Sequence, residues 1–239
     1  MISSKRYVRD TFGVAWPLVK GCKWAAFWGL VPFVVLYCIS QLLLNHSHHL
    51  PKAEHVHFLF VYGLVWPYVQ ILFTAPVLGG WYMMGIKRLA GMPIAKNEAY
   101  RYLNYALTLI VIAAISYFLS HIINYIATFF LRLHDPHVFS ILTLVGIIYS
   151  IVMSFLLWLS MIIAIDLKKP FWHAMLLSIR IITRHFWPGL RLFICEGFVM
   201  GIGFLLLGIG LFWAIPWCFI ATAKFYSDIQ ADLLELTNT

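Results

Sequence analysis

Charge is what this chain has least of. Only 11% of its 239 residues are Asp, Glu, Lys or Arg, and just nine are acidic; soluble domains carry about 25% charged residues. With 62% hydrophobic residues and a mean hydropathy of +0.87, that scarcity excludes a water-soluble domain. Cysteine is sparse too. Cys22, Cys38, Cys195 and Cys218 stand singly within or beside apolar segments, with no CxxC or other metal-type spacing. A disulfide framework is therefore not expected, and buried apolar thiols are. A Walker loop, a GxSxG elbow and paired catalytic carboxylates are also missing, so no enzyme class is indicated. The charge that remains is mostly positive, +8 net. In so apolar a chain that excess suits anionic lipid head groups rather than nucleic acid.

What the chain does have is long apolar runs, at about Trp24–Leu44, Phe58–Ile86, Tyr102–Leu131, Val138–Ile165, Pro188–Leu207 and Leu211–Ile229. A bilayer core about 30 Å thick takes roughly 20 helical residues per crossing. Fifteen of the seventeen Lys and Arg residues fall in alternate gaps between these runs, leaving Lys52 and Arg132 on the other side. Basic residues near span ends stay in the cytoplasm. The expectation is an all-α polytopic membrane bundle of six transmembrane helices in a bacterial inner membrane, both termini cytoplasmic. The first run is too long for a signal h-region and no small-x-small cleavage site follows it, so it is expected to be retained.

The single membrane domain, 1–239, divides further. Residues 1–23 are expected as a cytoplasmic interfacial helix, 24–165 as spans one to four, 166–187 as a second interfacial helix, 188–229 as a helical hairpin and 230–239 as a tail. Val8, Phe12, Ala15, Trp16 and Val19 follow helical spacing, as do Phe171, Met175, Ile179, Ile182 and Phe186, each set opposed by basic residues. That is the make-up of an amphipathic helix in the head-group plane. A weaker third instance is Ala95–Tyr105, with Glu98 and Arg101 on its polar face. Pro67 and Pro76 predict a kink or break in span two. As one straight helix, Pro188–Ile229 would measure about 63 Å. A turn at Gly208-Ile209-Gly210 makes it a hairpin, with a shallow re-entrant pair as the competing geometry. Trp16-Pro17 before span one and Trp187-Pro188 before span five, with Pro76 and Pro216 in even spans, leave an internal repeat open.

Two stretches carry a resemblance. Thr74-Ala75-Pro76-Val77-Leu78-Gly79-Gly80, followed by Met84 to Pro93, resembles a Pro-containing span of uncharacterised bacterial inner-membrane proteins that ends in glycines and runs into a basic helix. Arg184-His185-Phe186-Trp187-Pro188, through Gly208-Ile209-Gly210-Leu211, to Tyr226-Ser227-Asp228-Ile229, is similar to the C-terminal half of that family. The membrane portion attached to some glycerophosphodiesterases shares it. The resemblance implies a six-helix inner-membrane fold and brings no activity or catalytic residue.

Three groups of side chains are candidates for function. His46, His48, His49, His55 and His57 crowd the first external loop and His134 and His137 the second, seven of the ten histidines. Imidazoles suit Zn²⁺, Cu²⁺ or Ni²⁺. The spacing names no metal, and weak adventitious binding at a polar loop accounts for it equally; no other cofactor is expected. Glu196 lies inside an apolar run, either a proton or cation site or a partner of Arg191 or Arg184. Tyr117, His121, Asn124 and Thr128 share a helical stripe that either lines a path or bonds to neighbouring helices. Two function classes follow. One is a non-enzymatic membrane partner, assembly or lipid-organising protein, for which a second membrane protein or a copy of itself is the expected partner; the other is a small transporter of solute, metal or protons.

Overall fold

The computed structural model describes residues 4–47, 49, 51–131, 136–206 and 209–237, with side chains at 9–47, 49, 51, 54, 55, 58, 61–126, 140–206 and 209–234. Among the described residues the chain is all-helical, with no strand. The helices are α1 (Ser4–Leu18), α2 (Lys23–Ser47), α3 (Lys52–Leu89), α4 (Ala106–Leu131), α5 (Pro136–Leu156), α6 (Ser160–Asp166), α7 (Phe171–Arg184), α8 (Phe186–Leu205) and α9 (Leu211–Thr237). Among the described residues, five stretches are long and apolar enough to cross a membrane: Lys23–Ser47, Val61–Leu89, Glu98–Ile126, Ser140–Asp166 and Phe186–Leu205. Their outward faces are apolar and exposed, as at Leu42, Leu107, Ile141 and Phe198. That is the surface of a bundle solvated by lipid.

The helices of the first four runs stand side by side. α2 and α3 are antiparallel, with Ser40 bonded to Tyr62 near one end and Gly29 against Trp81 near the other. α4 and α5 continue the layer, Ser120 meeting Ser154 at 3.5 Å and Asn124 lying over Gly146. The basic segments collect at one end of this layer. There Arg88 Nε donates to the Leu18 carbonyl at 3.1 Å, and its guanidinium fills the space that a side chain at Gly21 would need. Buried beside it, Cys22 has its thiol pKa pushed up to about 11 by loss of solvent, which keeps it protonated and unreactive.

Four local expectations are corrected. α3 runs unbroken through Pro67 and Pro76, so neither proline ends the helix, although each removes one helix hydrogen bond. The break falls instead in the fourth run, at 157–159, where there is no proline. Ser178 Oγ donates to the Leu156 carbonyl there at 2.8 Å, and Ser160 gives both its backbone N–H, at 3.1 Å, and its Oγ, at 2.6 Å, to Leu157 O. Ala95–Tyr105 is not an amphipathic helix but two 3₁₀ turns, Glu98–Tyr100 and Leu103–Tyr105. Glu98 is buried rather than on a polar face, paired with Lys87 and, at 3.7 Å, with Arg101. Lastly, the first histidine-rich segment is mostly helical, since α2 continues to Ser47 and α3 begins at Lys52.

α9 is buried almost all round from Ala214 to Tyr226. A helix apolar on every side belongs in a core. Its position is the unexpected part. At its start, Phe212 meets Trp24 and Phe27 at ring-centroid distances of 5.5 and 5.9 Å, and Lys23 Nζ sits 5.6 and 5.4 Å from the Phe212 and Trp213 rings. In its middle, Phe219 stacks on Trp81 at 5.3 Å, and Gly85 lies against the Phe219 carbonyl. Near its far end, Tyr226 OH donates to Asp166 Oδ2 at 2.6 Å, and His185 Nε2 is 2.7 Å from Asp232 Oδ2. Every one of these partners belongs to the basic end of the layer. α9 thus runs across that end, and the tip of the α8–α9 hairpin returns beside the start of α2.

Candidate functional site

Between α2, α3, α8 and α9 lies a cavity of about 480 Å³, within the range of small-molecule sites. Helical periodicity builds its walls. α8 contributes Phe193, Glu196, Gly197 and Met200, spaced i, i+3, i+4, i+7, and α9 contributes Leu211, Ile215, Cys218, Phe219 and Thr222 on one stripe. Leu78, Trp81 and Tyr82 of α3 and Leu30 and Phe33 of α2 complete it. α2 packs on α3 and α9, and α8 packs on α9, so the lining residues of α2 and α8 wall a groove over the α3–α9 pair. Gly197 is exposed at the wall, and a Cβ there would meet nothing within 4 Å.

The lining is apolar and aromatic except at one spot. Phe33, Trp81 and Phe219 form a ladder of stacked rings, with 5.3 Å between centroids at each step. Opposite stands Glu196, 8% exposed, the one ionisable carboxyl of the lining. Its Oε1 accepts a hydrogen bond from Thr222 Oγ1 at 2.8 Å. The arginine expected as its partner is replaced by this hydroxyl, because α8 turns the Glu196 side of the helix inward onto α9. No Lys, Arg or His lines the cavity.

The other candidate residues are elsewhere. His121 stacks on Tyr117 at 4.2 Å, and its Nδ1 lies 3.0 Å from the Tyr117 carbonyl one turn back. Tyr117 meets Tyr68 of α3 edge-on at 5.6 Å. With Asn124 against Gly146 of α5, the stripe is spent on packing between α3, α4 and α5 and shares no cavity with Glu196. The Thr128 side chain lies outside the described side chains. A separate space of about 230 Å³ touches the stripe only at Tyr117, beside Gln70 and Thr74.

Of the histidines, His46 and His49 are exposed near the end of α2, and His55 Nδ1 donates to the Ser47 carbonyl at 2.7 Å. His48 and His134 lie outside the described residues, as do the side chains of His57 and His137. Among the described residues no group of three His, Cys, Asp or Glu side chains is placed to hold a metal ion.

Spacing along the chain had no way to pair Glu196 with Thr222, or Asp166 and His185 with α9, since each contact joins residues far apart in sequence. The periodic stripe 193, 196, 197, 200 was the available signal. The fold and the apolar helices define a helical protein of membrane-protein type. Comparison with protein-family models, with curated proteins and with solved structures finds no match. The family resemblance therefore rests only on the motifs that carry it.

Proposed function

We propose that this chain is a non-enzymatic integral protein of a bacterial inner membrane that organises lipid, holding apolar parts of bilayer molecules in the groove between α2 and α8. The observation that carries this reading is the groove itself: about 480 Å³ with hydrocarbon and aromatic walls, among helices whose outward faces are apolar. Such a space is dry by preference and favours apolar guests. In this reading α2, α3, α4 and α5–α6 cross the bilayer. α8 and α9 form a re-entrant pair entering from the cytoplasmic side, so both termini stay cytoplasmic with four crossings rather than six. The alternation of basic residues supports that orientation, and the basic end would attract anionic head groups. α1 buries Thr11 and Ala15, and the turn after it Val19 and Cys22, against the bundle, while Phe12 and Trp16 stay exposed; α7 keeps Trp172 and Leu176 exposed beside Arg180. Both suit helices lying in the interface. The transporter alternative is less well supported, because the polar stripe of α4 and Glu196 do not share a path.

Gly197→Leu tests the reading, because a Cβ at this lining position meets nothing within 4 Å and so leaves room for a bulkier side chain at the groove wall. In mild detergent the parent protein should retain bound lipid by native mass spectrometry, and the variant should lose most of it at unchanged helical content. Equal retention in both would remove the groove from the proposal.

A further inference from the structure

The groove has apolar walls and one carboxyl, and no Lys, Arg or His lines it. A carboxyl taken out of water with no cation beside it is more stable neutral than charged. Glu196 therefore stands in the groove as a carboxylic acid, with one O–H to donate and one carbonyl oxygen to accept. Thr222 Oγ1 supplies the accepted bond, on Oε1 at 2.8 Å. Among the described residues no acceptor is placed on Oε2, so its donor is left to an occupant of the groove. A donor kept from water without a partner is costly, and a guest with an oxygen acceptor removes that cost. A buried acid held neutral is well suited to bond a carbonyl oxygen.

We infer that the groove binds an ester-linked acyl chain of a bilayer lipid, the Glu196 carboxyl donating from Oε2 to the ester carbonyl and the hydrocarbon lying along the apolar walls beside Gly197. This rests on the proposed groove and adds the chemical group that it recognises. Ester carbonyls stand where the head groups of a bilayer give way to the chains, and in the re-entrant reading α8 passes that level. Arg191, one of the basic residues, precedes Glu196 by five residues, about 7.5 Å of helix. A bare hydrocarbon would fill the same walls but leave the Glu196 donor unpaired.

Dioctanoylglycerol is the probe, titrated calorimetrically into the full chain in an uncharged detergent. Dioctylglycerol, its ether-linked counterpart without carbonyls, is the comparison. Both are uncharged, so attraction to the basic residues does not enter. The parent protein should bind the ester saturably and about fivefold or more tighter than the ether, the difference one hydrogen bond makes. Glu196→Leu removes the donor and should bring the two affinities together. Glu196→Gln removes the acid but keeps a donor, its amide, and should retain the preference for the ester. No preference in the parent, a preference that survives in Glu196→Leu, or one lost in Glu196→Gln at unchanged helical content would each overturn the inference. The comparison within the parent decides even where a variant does not fold. Lipid retention in Gly197→Leu separates the two levels. Lipid lost there with no ester preference in the parent leaves the groove standing and removes the carbonyl. Lipid unchanged there removes the groove itself.

Discussion

At the scale of single residues, the tightest helix contacts are set by glycines. Where α3 crosses α9, a Cβ on Gly85 would overlap the Phe219 carbonyl and crowd Ala223 at 2.9 Å. Backbone cannot move aside as a side-chain tip can, so the crossing needs glycine there. Gly63, earlier in the same helix, faces open space. Gly85→Val should cost about 1–3 kcal/mol through overpacking. Gly63→Ala should be neutral or stabilise by about 0.5–1 kcal/mol, through the lower entropy of the unfolded chain. Thermal unfolding in detergent, followed by circular dichroism, checks the pair; equal midpoints would show that α3 and α9 do not cross at Gly85. Neither role is visible in the sequence, where both are glycines in an apolar run.

Among the elements, how much could be read depended on whether the cause was local. The helices of the first four runs follow from continuous apolar stretches, which leave the backbone no partner but itself in lipid. The interruption at 157–159 depends on Ser178, from another helix, reaching the Leu156 carbonyl, and no local signal announces it. The segment after α3 went the same way. Glu98 and Arg101 resemble a polar face, yet Glu98 is pulled inward by Lys87, eleven residues earlier. Lys87→Met removes one partner of a buried acid and should destabilise by about 2–3 kcal/mol, Arg101 being a distant and exposed substitute. The double variant Lys87→Met/Glu98→Leu should recover most of that loss, because an apolar pair has no desolvation penalty. Chemical unfolding of the three proteins decides it. A double variant as unstable as the single would mean that Glu98 has a further role at this site.

For the molecule as a whole, the decisive feature is where the last two helices go. Pro188–Ile229 read as a hairpin from its length and its glycines, but length alone could not choose between crossing the membrane and returning to its side of entry. The contacts of α9 support the return to the side of entry proposed above. A crossing hairpin would bring Leu211 and Phe212 beside the far halves of α2 and α3, near Ser40 and Tyr62. Instead Phe212 touches Lys23, Trp24 and Phe27, and Tyr226 touches Asp166, all at the basic end. The same arrangement shapes the groove, because α9 can floor it only by lying across α3. It also keeps Lys224, ion-paired with Asp228, on the helix that runs along the basic end of the layer.

The position of the hairpin tip tests this account most directly. In a variant whose four native cysteines are replaced, a single cysteine at Ile209, an exposed site at the tip, is probed with a membrane-impermeant thiol reagent, with a single cysteine at His49 as the outward reference. The account predicts that His49→Cys is labelled in spheroplasts and that Ile209→Cys is labelled only in inverted vesicles. Labelling of Ile209→Cys from the outside would contradict it, restore six full crossings and dismantle the groove.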